Sequence, residues 1–422
     1  MITDSRHMGA FTRTTSPFDS PHVLEEAYEP DDILGRDKEL DAIHRVLQQI
    51  IDNDPTLNAF IYGPTGVGKT ASVQYKLTQL TGSTAQYDDI RVHPIWQNCD
   101  GHSTSYQVAI SLANQLLAPG DQLPPSGLPK TTVYSRLFEA LDEQGDTDDA
   151  VTDHAVIVLD EVDNIGTSDR ILYQIPRARA NDRLHTIKPT VIGISNDLTF
   201  KDNLSPKVVP SLCEREITFS RYDATDLRAI LSHRAQHAFV DGAIDESVIR
   251  HCAAIGTKEG GDARYALDVL KNAGRTAKEE SRIELSNADV EQAYADLERS
   301  RVRDALSDLS DHELMTVAAV VAMAVTGQTP ARRGEIYTVY HRFATEVLDE
   351  ANVSRRIHEY LNELTMFGLL ARTEVKAGPG KNYFQYQLDS LTPAMAIEVL
   401  GDCSHPFDPE RSLLPPSLVD QL

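Results

Sequence analysis

Short apolar runs alternate with helix-like segments over the first half of the chain. Because parallel strands need a crossover between them, usually a helix, this alternation predicts an α/β fold with a parallel sheet covered by helices. The runs typical of strands are AFIYG (59–63), RVHPIWQN (91–98), HAVIVLDE (154–161), TVIGISN (190–196) and EITF (216–219). We expect one α/β domain over residues 21–219, preceded by a mobile tail, residues 1–20, that has no periodicity.

The pattern changes after residue 219. Residues 220–303 show helical spacing of apolar positions, which predicts a small all-helical domain. Residues 304–422 carry three helical segments, 311–325, 333–348 and 353–370, and then two strand-like segments, LLARTEVK and NYFQYQLD. Three helices followed by a hairpin is the order of a winged helix-turn-helix.

A glycine-rich turn follows the first predicted strand. Its residues match the pattern G-x-x-x-x-G-K-[ST] completely: Gly63, Pro64, Thr65, Gly66, Val67, Gly68, Lys69 and Thr70. In this pattern backbone N–H groups surround the phosphates of a nucleotide, the lysine reaches the β and γ oxygens, and the hydroxyl holds Mg²⁺. The sequence therefore predicts a site for ATP or ADP with Mg²⁺, whereas a purely structural turn would leave Lys69 without a role.

Polar residues end two more of the predicted strands. Asp160 is placed to hold Mg²⁺ together with Thr70, and Glu161 to orient or polarise the attacking water. Asn196, at the end of the next strand, is placed to position the same water. The alternatives are a solvated acidic strand end for the first pair and a turn-forming role for Asn196.

One arginine of the helical domain has the position of a nucleotide sensor. The stretch GDARYALDVL (261–270) sets Arg264 in the first turn of a predicted helix. From there it can reach the γ-phosphate and couple the nucleotide state to the angle between the domains. An ordinary surface arginine is the alternative. With Lys69, Asp160, Glu161 and Asn196, Arg264 completes the residues expected to serve ATP hydrolysis.

The chain is strongly acidic. It has 64 acidic residues and 40 basic ones, a net charge of -24, and only 12 of the basic residues are lysines. Such a surface stays hydrated in concentrated salt, where the Debye length falls to about 3 Å. The excess runs through the whole chain, which favours a cytoplasmic protein of an extreme halophile over an ordinary acidic protein. No apolar run is long enough to span a membrane, so we expect no membrane partner.

Arginines in the last domain lie where they would face DNA. The third helix is expected to start at Asn352 or Ser354, either a good N-cap, with Arg355 and Arg356 in its first turn, where a recognition helix reaches base edges. The other basic residues expected at DNA, before the second helix and beside the wing tip, are Arg332, Arg333, Lys376 and Lys381. The alternative for each is a solvated surface residue. Because phosphate contacts contribute little in molar salt, we expect a shallow salt dependence of DNA binding.

These features together resemble the archaeal replication initiators related to the origin-recognition complex and its cell-division-control partner, of the AAA+ superfamily. The resemblance runs from about residue 28 to residue 400 and includes GISNDLTF (193–200) and GDARYALDVLKNAG (261–274). It implies an AAA+ core at 21–219, a helical lid at 220–303 and a winged helix at 304–422. It also implies a nucleoid-associated protein that binds double-stranded origin DNA, helps recruit the MCM replicative helicase and has paralogous initiator subunits as partners.

The resemblance further implies where the nucleotide would lie. The phosphates would contact Thr65 to Thr70 and the adenine would lie near the segment that ends at Arg36. Tyr222 and Arg234 would line the pocket where core and lid meet. The helices between 103 and 141 resemble the helical insert that initiators add to the core.

One stretch departs from the pattern of related proteins. Where clamp loaders carry a Ser-Arg-Cys finger, this chain has Ser211, Leu212 and Cys213, and Arg215 is the nearest candidate for a finger that acts on a neighbouring subunit. The departure favours a slow intramolecular switch over ring assembly with shared hydrolysis.

Two other classes of protein would share part of this chemistry. An ATP-sensing transcription regulator would use the same motifs and the same winged helix at a promoter. A transposition-type AAA+ targeting protein would lack both the G-D-A-R lid and the terminal winged helix. The residues alone do not separate the initiator from the regulator.

Overall fold

The computed structural model describes most of the chain beyond residue 14. The residues outside the description are 1–14, 56, 146–150, 213–214, 377–381, 390–391, 403, 406–407, 413–414 and 420–422. Most of the expected tail, as well as Cys213 and Lys381, therefore lies outside the described residues. The chain divides into two compact units, Met1–Val290 and Glu291–Leu422. Within the described part, no helix has both the length and the apolar character needed to cross a membrane.

A five-stranded parallel sheet forms the centre of the first unit. Its strands are β1 (Ala59–Tyr62), β2 (Ile90–Asn98), β3 (Thr152–Asp160), β4 (Ile187–Ser195) and β5 (Arg215–Thr218). Their order is β2-β3-β4-β1-β5, and every neighbouring pair is parallel. All five predicted strands and the α/β class are confirmed. Because β4 lies between β1 and β3, its carboxyl end lies between the carboxyl ends of those two strands.

Helices connect these strands and cover the sheet. They are α1 (Asp37–Ile51), α2 (Lys69–Thr84), α3 (Ser105–Leu116), α4 (Lys130–Asp142), α5 (Arg170–Gln174) and α6 (Val209–Leu212). Ala155 and Ile157 of β3 pack into a core with α3 and α4, while Val156 and Val158, which point to the opposite face, are also fully buried. A strand that is buried on both faces is a continuous apolar run, which is the pattern seen in the sequence.

Three helices complete the main part of the first unit. They are α7 (Ala224–Ala238), α8 (Glu246–Lys258) and α9 (Ala263–Glu279). Aspartates fix their starts: the side chains of Asp223, Asp245 and Asp262 accept hydrogen bonds from backbone N–H groups of the first turn. The boundary between the two units falls within the following helix, α10 (Asn287–Ser307).

The second unit contains the predicted winged helix. Its elements are α11 (Asp311–Val325), β6 (Ala331–Arg332), α12 (Arg333–Leu348), α13 (Ser354–Met366), β7 (Leu370–Lys376), β8 (Asn382–Leu388), α14 (Pro393–Asp402), β9 (Ser404–His405), β10 (Asp408–Ser412) and α15 (Pro416–Val419). The first three strands form an antiparallel sheet in the order β6-β8-β7. The two-residue strand β6 was not predicted, because two residues are too few to show an alternating pattern.

The start of α13 differs from the expectation. Val353 occupies the N-cap position and no side chain caps the helix. The side-chain amide of Asn352 instead donates a hydrogen bond to Tyr360 Oη at 2.9 Å, and Ser354 is the first residue of the helix. The prediction of an Asn352 or Ser354 cap was wrong because a tertiary partner took the side chain that local preference assigned to the helix end.

Candidate functional site

Lys69 and Asn196 meet at the carboxyl edge of the sheet. Lys69 Nζ donates hydrogen bonds to Gly63 O at 2.8 Å, Pro64 O at 2.6 Å and Asn196 Oδ1 at 2.8 Å. Asn196 Nδ2 in turn donates to Glu161 Oε1 at 3.5 Å. The sheet order explains the contact, because Asn196 follows β4, which separates the strand before Lys69 from the strand before Glu161. Three residues that are far apart in the sequence thus form one connected group.

Thr70 and Asp160 face each other beside this group. The Thr70 hydroxyl donates to Asp160 Oδ2 at 3.0 Å, and Asp160 Oδ1 accepts the backbone N–H of Glu161 at 3.0 Å. Hydroxyl and carboxylate oxygens are the protein ligands that suit Mg²⁺, which is bound by one or two carboxylates together with substrate phosphates. The two side chains therefore fit the ion that the sequence predicts here.

Glu161 has an unusual backbone conformation. Its φ of 53° and ψ of 42° lie in the left-handed region, which few residues other than glycine adopt. The next turn is held by Asp163, whose Oδ1 accepts the backbone N–H of Asn196 at 3.1 Å. Backbone strain of this kind concentrates at functional sites, where the surrounding structure imposes it.

Burial shifts the pKa values of the charged side chains at this edge. It lowers the pKa of Lys69 to about 8, with a further contribution from the positive charge of Arg264. It raises the pKa of Asp160, and burial together with the neighbouring Asp160 charge raises the pKa of Glu161. Charged groups that are poorly solvated in this way gain most from a bound partner of opposite charge. The site is therefore electrostatically suited to a phosphate at Lys69 and a cation at Asp160.

Residues 63–70 form a phosphate cradle, and its glycines allow close approach by neighbouring elements. Gly66 has φ +69°, and a Cβ at this residue would lie 1.8 Å from Asp262 Oδ1, at the start of α9. The backbone N–H of Ala263 donates to Gly66 O at 3.0 Å. Gly68 has φ +84°, and a Cβ there would lie 2.7 Å from the Tyr222 hydroxyl. The first turn of α9 thus contacts the phosphate cradle directly.

A cavity of about 580 Å³ opens next to the cradle. It is bounded by Gly66, Gly68 and Thr70, by residues 24–34, and by side chains of α7 and α9. Its volume lies in the range of small-molecule sites in proteins. Tyr222 and Arg234 line it, as the resemblance implied for the nucleotide pocket.

Arg234 links this cavity to the segment before α1. Its guanidinium carbon lies 4.4 Å from the ring centre of Tyr28, and its Nη1 donates to Val23 O at 3.0 Å. The N-terminal segment therefore forms a wall of the cavity and is attached to α7.

Arg36 lies apart from the cavity wall, whereas residues 24–34, in the segment that ends at it, belong to that wall. It is 2% exposed, and it is not among the residues that line the cavity. Its Nε donates to Val67 O at 2.9 Å, its Nη2 donates to Ser220 O at 2.7 Å, and its guanidinium carbon lies 3.7 Å from the ring centre of Tyr222. Arg36 thus connects the cradle to the segment that leads into α7.

Arg264 and Arg215 lie at different places in the first unit. Arg264, the expected sensor, lines the cavity, and its Nη1 lies 2.8 Å from Glu26 Oε1. Glu26 had no recognisable signal in the sequence, since an isolated acidic residue in an acidic chain is not distinctive. Arg215 is exposed at the first residue of β5.

The second unit exposes the arginines expected at DNA. Arg355 and Arg356 lie in the first turn of α13, and Arg356 Nη1 lies 2.5 Å from Glu359 Oε2. The guanidinium carbon of Arg332 lies 3.9 Å from the ring centre of Tyr383 on β8. Arg333, the first residue of α12, and Lys376, the last residue of β7, are exposed.

Sequence reasoning missed a further arginine of the wing. Arg372 on β7 lies 4.5 Å from the ring centre of Phe384, measured from its guanidinium carbon, and its Nη1 donates to Asn362 Oδ1 on α13 at 3.0 Å. It connects the wing to the third helix. In the sequence Arg372 lies among other polar residues of an exposed strand, so no motif distinguished it from an ordinary surface arginine.

Three family models match successive parts of the chain. The AAA ATPase domain matches residues 32–183, the Cdc6 AAA+ ATPase-type lid domain matches residues 228–295, and the CDC6 C-terminal winged helix domain matches residues 304–393. Nucleotide binding is a property of the first of these families.

Curated relatives match nearly the whole chain. ORC1-type DNA replication protein 11 of Haloarcula marismortui is 42% identical over 394 residues, 93% of each chain. ORC1-type DNA replication protein 10 of Halobacterium salinarum is 39% identical and covers 94% of this chain and 95% of its own. Both relatives are haloarchaeal, in agreement with the acidic composition of the chain.

Solved structures agree in fold. The structure of the Aeropyrum pernix ORC1 protein in complex with DNA is 32% identical, has a TM-score of 0.76, and covers 91% of this chain and 97% of its own. The structure of the Aeropyrum pernix ORC2 protein with ADPNP and ADP has a TM-score of 0.57 at 20% identity, which shows the fold alone. Family models match the ATPase domain, the lid and the winged helix, and relatives match more than nine-tenths of the chain. The chain therefore belongs to the family of ORC1-type DNA replication proteins, of the AAA+ ATPase superfamily.

Proposed function

We propose that this protein is an ATP-dependent replication initiator that binds double-stranded origin DNA and helps to recruit the MCM replicative helicase. The observation that carries the proposal is the coexistence, in one chain of an initiator family, of an assembled phosphate cradle and a winged helix with exposed arginines. In this proposal the bound nucleotide, ATP or ADP, sets the state of the protein. Hydrolysis resets that state and does not supply a metabolic product.

The nucleotide chemistry is assigned to the connected group at the sheet edge. Lys69 would bind the β- and γ-phosphates in exchange for part of its present hydrogen bonds to the cradle carbonyls and to Asn196. Thr70 and Asp160 would hold Mg²⁺, which neutralises phosphate charge when bound. Glu161 would orient the attacking water, with Asn196 fixing the position of its carboxylate.

The DNA-binding role is assigned to the second unit. A relative with 32% identity was solved in complex with DNA, and its fold extends over 91% of this chain. The exposed first turn of α13 carries Arg355 and Arg356, and arginine pairs with guanine through two parallel hydrogen bonds in the major groove. We propose that the first turn of α13 contacts base edges and that Lys376, at the end of β7, contacts the DNA backbone.

The remaining partners follow from the family. Several ORC1-type proteins occur in Haloarcula marismortui, so we propose that this chain acts among paralogous initiators on the nucleoid. Contact with MCM is part of the proposed initiator role.

Chromatin immunoprecipitation of the chromosomal protein tests the proposal. Enrichment at one or a few replication-start regions, lost from a strain that carries Arg355→Ala and Arg356→Ala, is the expected result. Enrichment at many promoters without replication-start regions would instead identify a transcription regulator with the same motifs. Normal enrichment of the double variant would reject the role assigned to α13.

A further inference from the structure

The N-terminal segment of the first unit, residues 15–34, crosses the nucleotide cavity as a strap with both ends attached. At one end, Asp19 and Ser20 donate backbone hydrogen bonds to Ala238 O at the end of α7. At the other end, Gln74 of α2 donates to Glu29 Oε1. The middle of the strap is exposed, and there Glu26 forms its ion pair with Arg264. The strap thus joins the lid helices to the core through a short acidic stretch.

Arg264 lies next to the phosphate cradle. It follows Ala263, whose N–H donates to Gly66 O, and the preceding residue, Asp262, packs against Gly66. Its charge is also near enough to influence the pKa values of Lys69 and of both carboxylates at the sheet edge. A γ-phosphate in the cradle and the Glu26 carboxylate would therefore both attract the same guanidinium group.

We propose that Glu26 determines the preference of this site between triphosphate and diphosphate, because its carboxylate competes with the γ-phosphate for Arg264. This inference rests on the proposed nucleotide site and adds a specificity-determining residue to it. ADP has no γ-phosphate, so Arg264 stays paired with Glu26. ATP draws Arg264 away from Glu26, while the contacts of Arg234 with Val23 and Tyr28 still hold the strap.

The pair is accessible enough to exchange partners. The side chain of Arg264 is 48% exposed and that of Glu26 is 70% exposed, so neither group has to leave a buried environment. An exposed ion pair contributes little free energy, and its loss corresponds to about a two- to fivefold change in an equilibrium constant. In molar KCl the repulsion between the Glu26 carboxylate and the γ-phosphate is screened within about 3 Å. Only the direct contact between Glu26 and Arg264 can therefore produce a difference between the affinities for ATP and ADP.

The test compares nucleotide affinities of the full chain by calorimetry in about 2 M KCl, with a non-hydrolysable ATP analogue and with ADP. Glu26→Gln should raise affinity for the ATP analogue about two- to fivefold and leave the ADP affinity unchanged. Glu246→Gln is the matched control, because it breaks an ion pair of similar exposure, with Arg250 on α8, and neither residue lines the cavity. Its ratio of ATP-analogue to ADP affinity should stay that of the wild type.

A double-mutant cycle identifies Arg264 as the shared partner. In an Arg264→Gln background, Glu26→Gln should have no further effect on the affinity ratio. The inference is overturned if Glu26→Gln changes both affinities by the same factor, changes neither, or keeps its effect without Arg264. A wild-type protein that binds neither nucleotide would overturn the proposed function itself, a result distinct from these.

Discussion

Substitution of Gly66 by alanine tests the contact between the phosphate cradle and the start of α9. Gly66 is one of the variable positions of the cradle motif, so the motif itself does not require a glycine there. The structure requires it twice: the residue has φ +69°, and an added Cβ would lie 1.8 Å from Asp262 Oδ1. Alanine must therefore be strained in its backbone and must displace the aspartate.

The expected cost has two parts. A left-handed conformation costs a non-glycine residue about 1–2 kcal/mol. Displacing Asp262 breaks its hydrogen bond from the Tyr265 N–H, which is 3.1 Å long and caps α9, and losing such a cap costs about 1 kcal/mol. Gly66→Ala should thus destabilise the first unit by about 2–3 kcal/mol and weaken ATP binding, because the cradle and α9 no longer meet.

Urea denaturation in molar KCl, followed by tryptophan fluorescence, measures this cost. The chain has one tryptophan, Trp96, and it lies in β2 of the first unit, so the signal reports on the unit that carries the substitution. Gly82→Ala is the matched control. Gly82 lies within α2, has no atom within 4 Å of an added Cβ, and should gain up to about 1 kcal/mol.

A second substitution separates the two parts of the cost. Asp262→Gly removes the carboxylate, and glycine at an N-cap costs only a few tenths of a kcal/mol. In that background Gly66→Ala should cost about 1–2 kcal/mol, the backbone share alone. Equal costs in both backgrounds, or a Gly66→Ala protein as stable as Gly82→Ala, would refute the reasoning.

Three further predictions follow from the site and from α13. Glu161→Gln should keep ATP binding and slow phosphate release in single-turnover assays by about 10²- to 10⁴-fold, and unchanged turnover would contradict the role of Glu161. Burial lowers the pKa of Lys69 to about 8, and phosphate binds the protonated amine, so the affinity for ATP should fall about tenfold between pH 7 and pH 9. Calorimetry measures this affinity, and an affinity that does not change with pH would contradict the prediction. Arg355→Ala should cost about 1–3 kcal/mol in specific DNA binding, measured by anisotropy at 1 to 3 M KCl with a shallow salt slope, and Arg356→Ala should cost less because Arg356 must first give up Glu359. Equal losses would reject that ranking, and a steep slope would contradict the expected shallow salt dependence.

The strands and the main helices were predictable because their signals are local. β3 shows a continuous apolar run since both of its faces are buried, and α11 and α12 have the bounds that their periodicity predicts. The cradle was also predictable, because a single contiguous segment supplies the backbone groups that surround a phosphate. β6 was not, since its two residues become a strand only by pairing with β8.

Several residues of the site gained their roles only through packing. Arg36 is separated by 184 residues from Ser220, whose carbonyl it binds. No pattern in the sequence indicates that its side chain connects the cradle to this distant segment. Asn352 looked like a helix cap until Tyr360 supplied a tertiary partner. A local preference is worth about 1 kcal/mol, so one well-placed tertiary hydrogen bond is enough to override it.

The sequence by itself determined the architecture, the presence of a phosphate cradle and the identity of the groups that end β3 and β4. Only the tertiary structure decided that Asn196 joins Lys69 to Glu161, that Asp262 excludes a side chain at Gly66, and that Glu26 holds Arg264. The physical reason is one of range. Periodicity and motifs record the interactions of a residue with its own segment, whereas the partner of a charged side chain depends on which distant segments the sheet order and the helix packing bring within hydrogen-bonding distance.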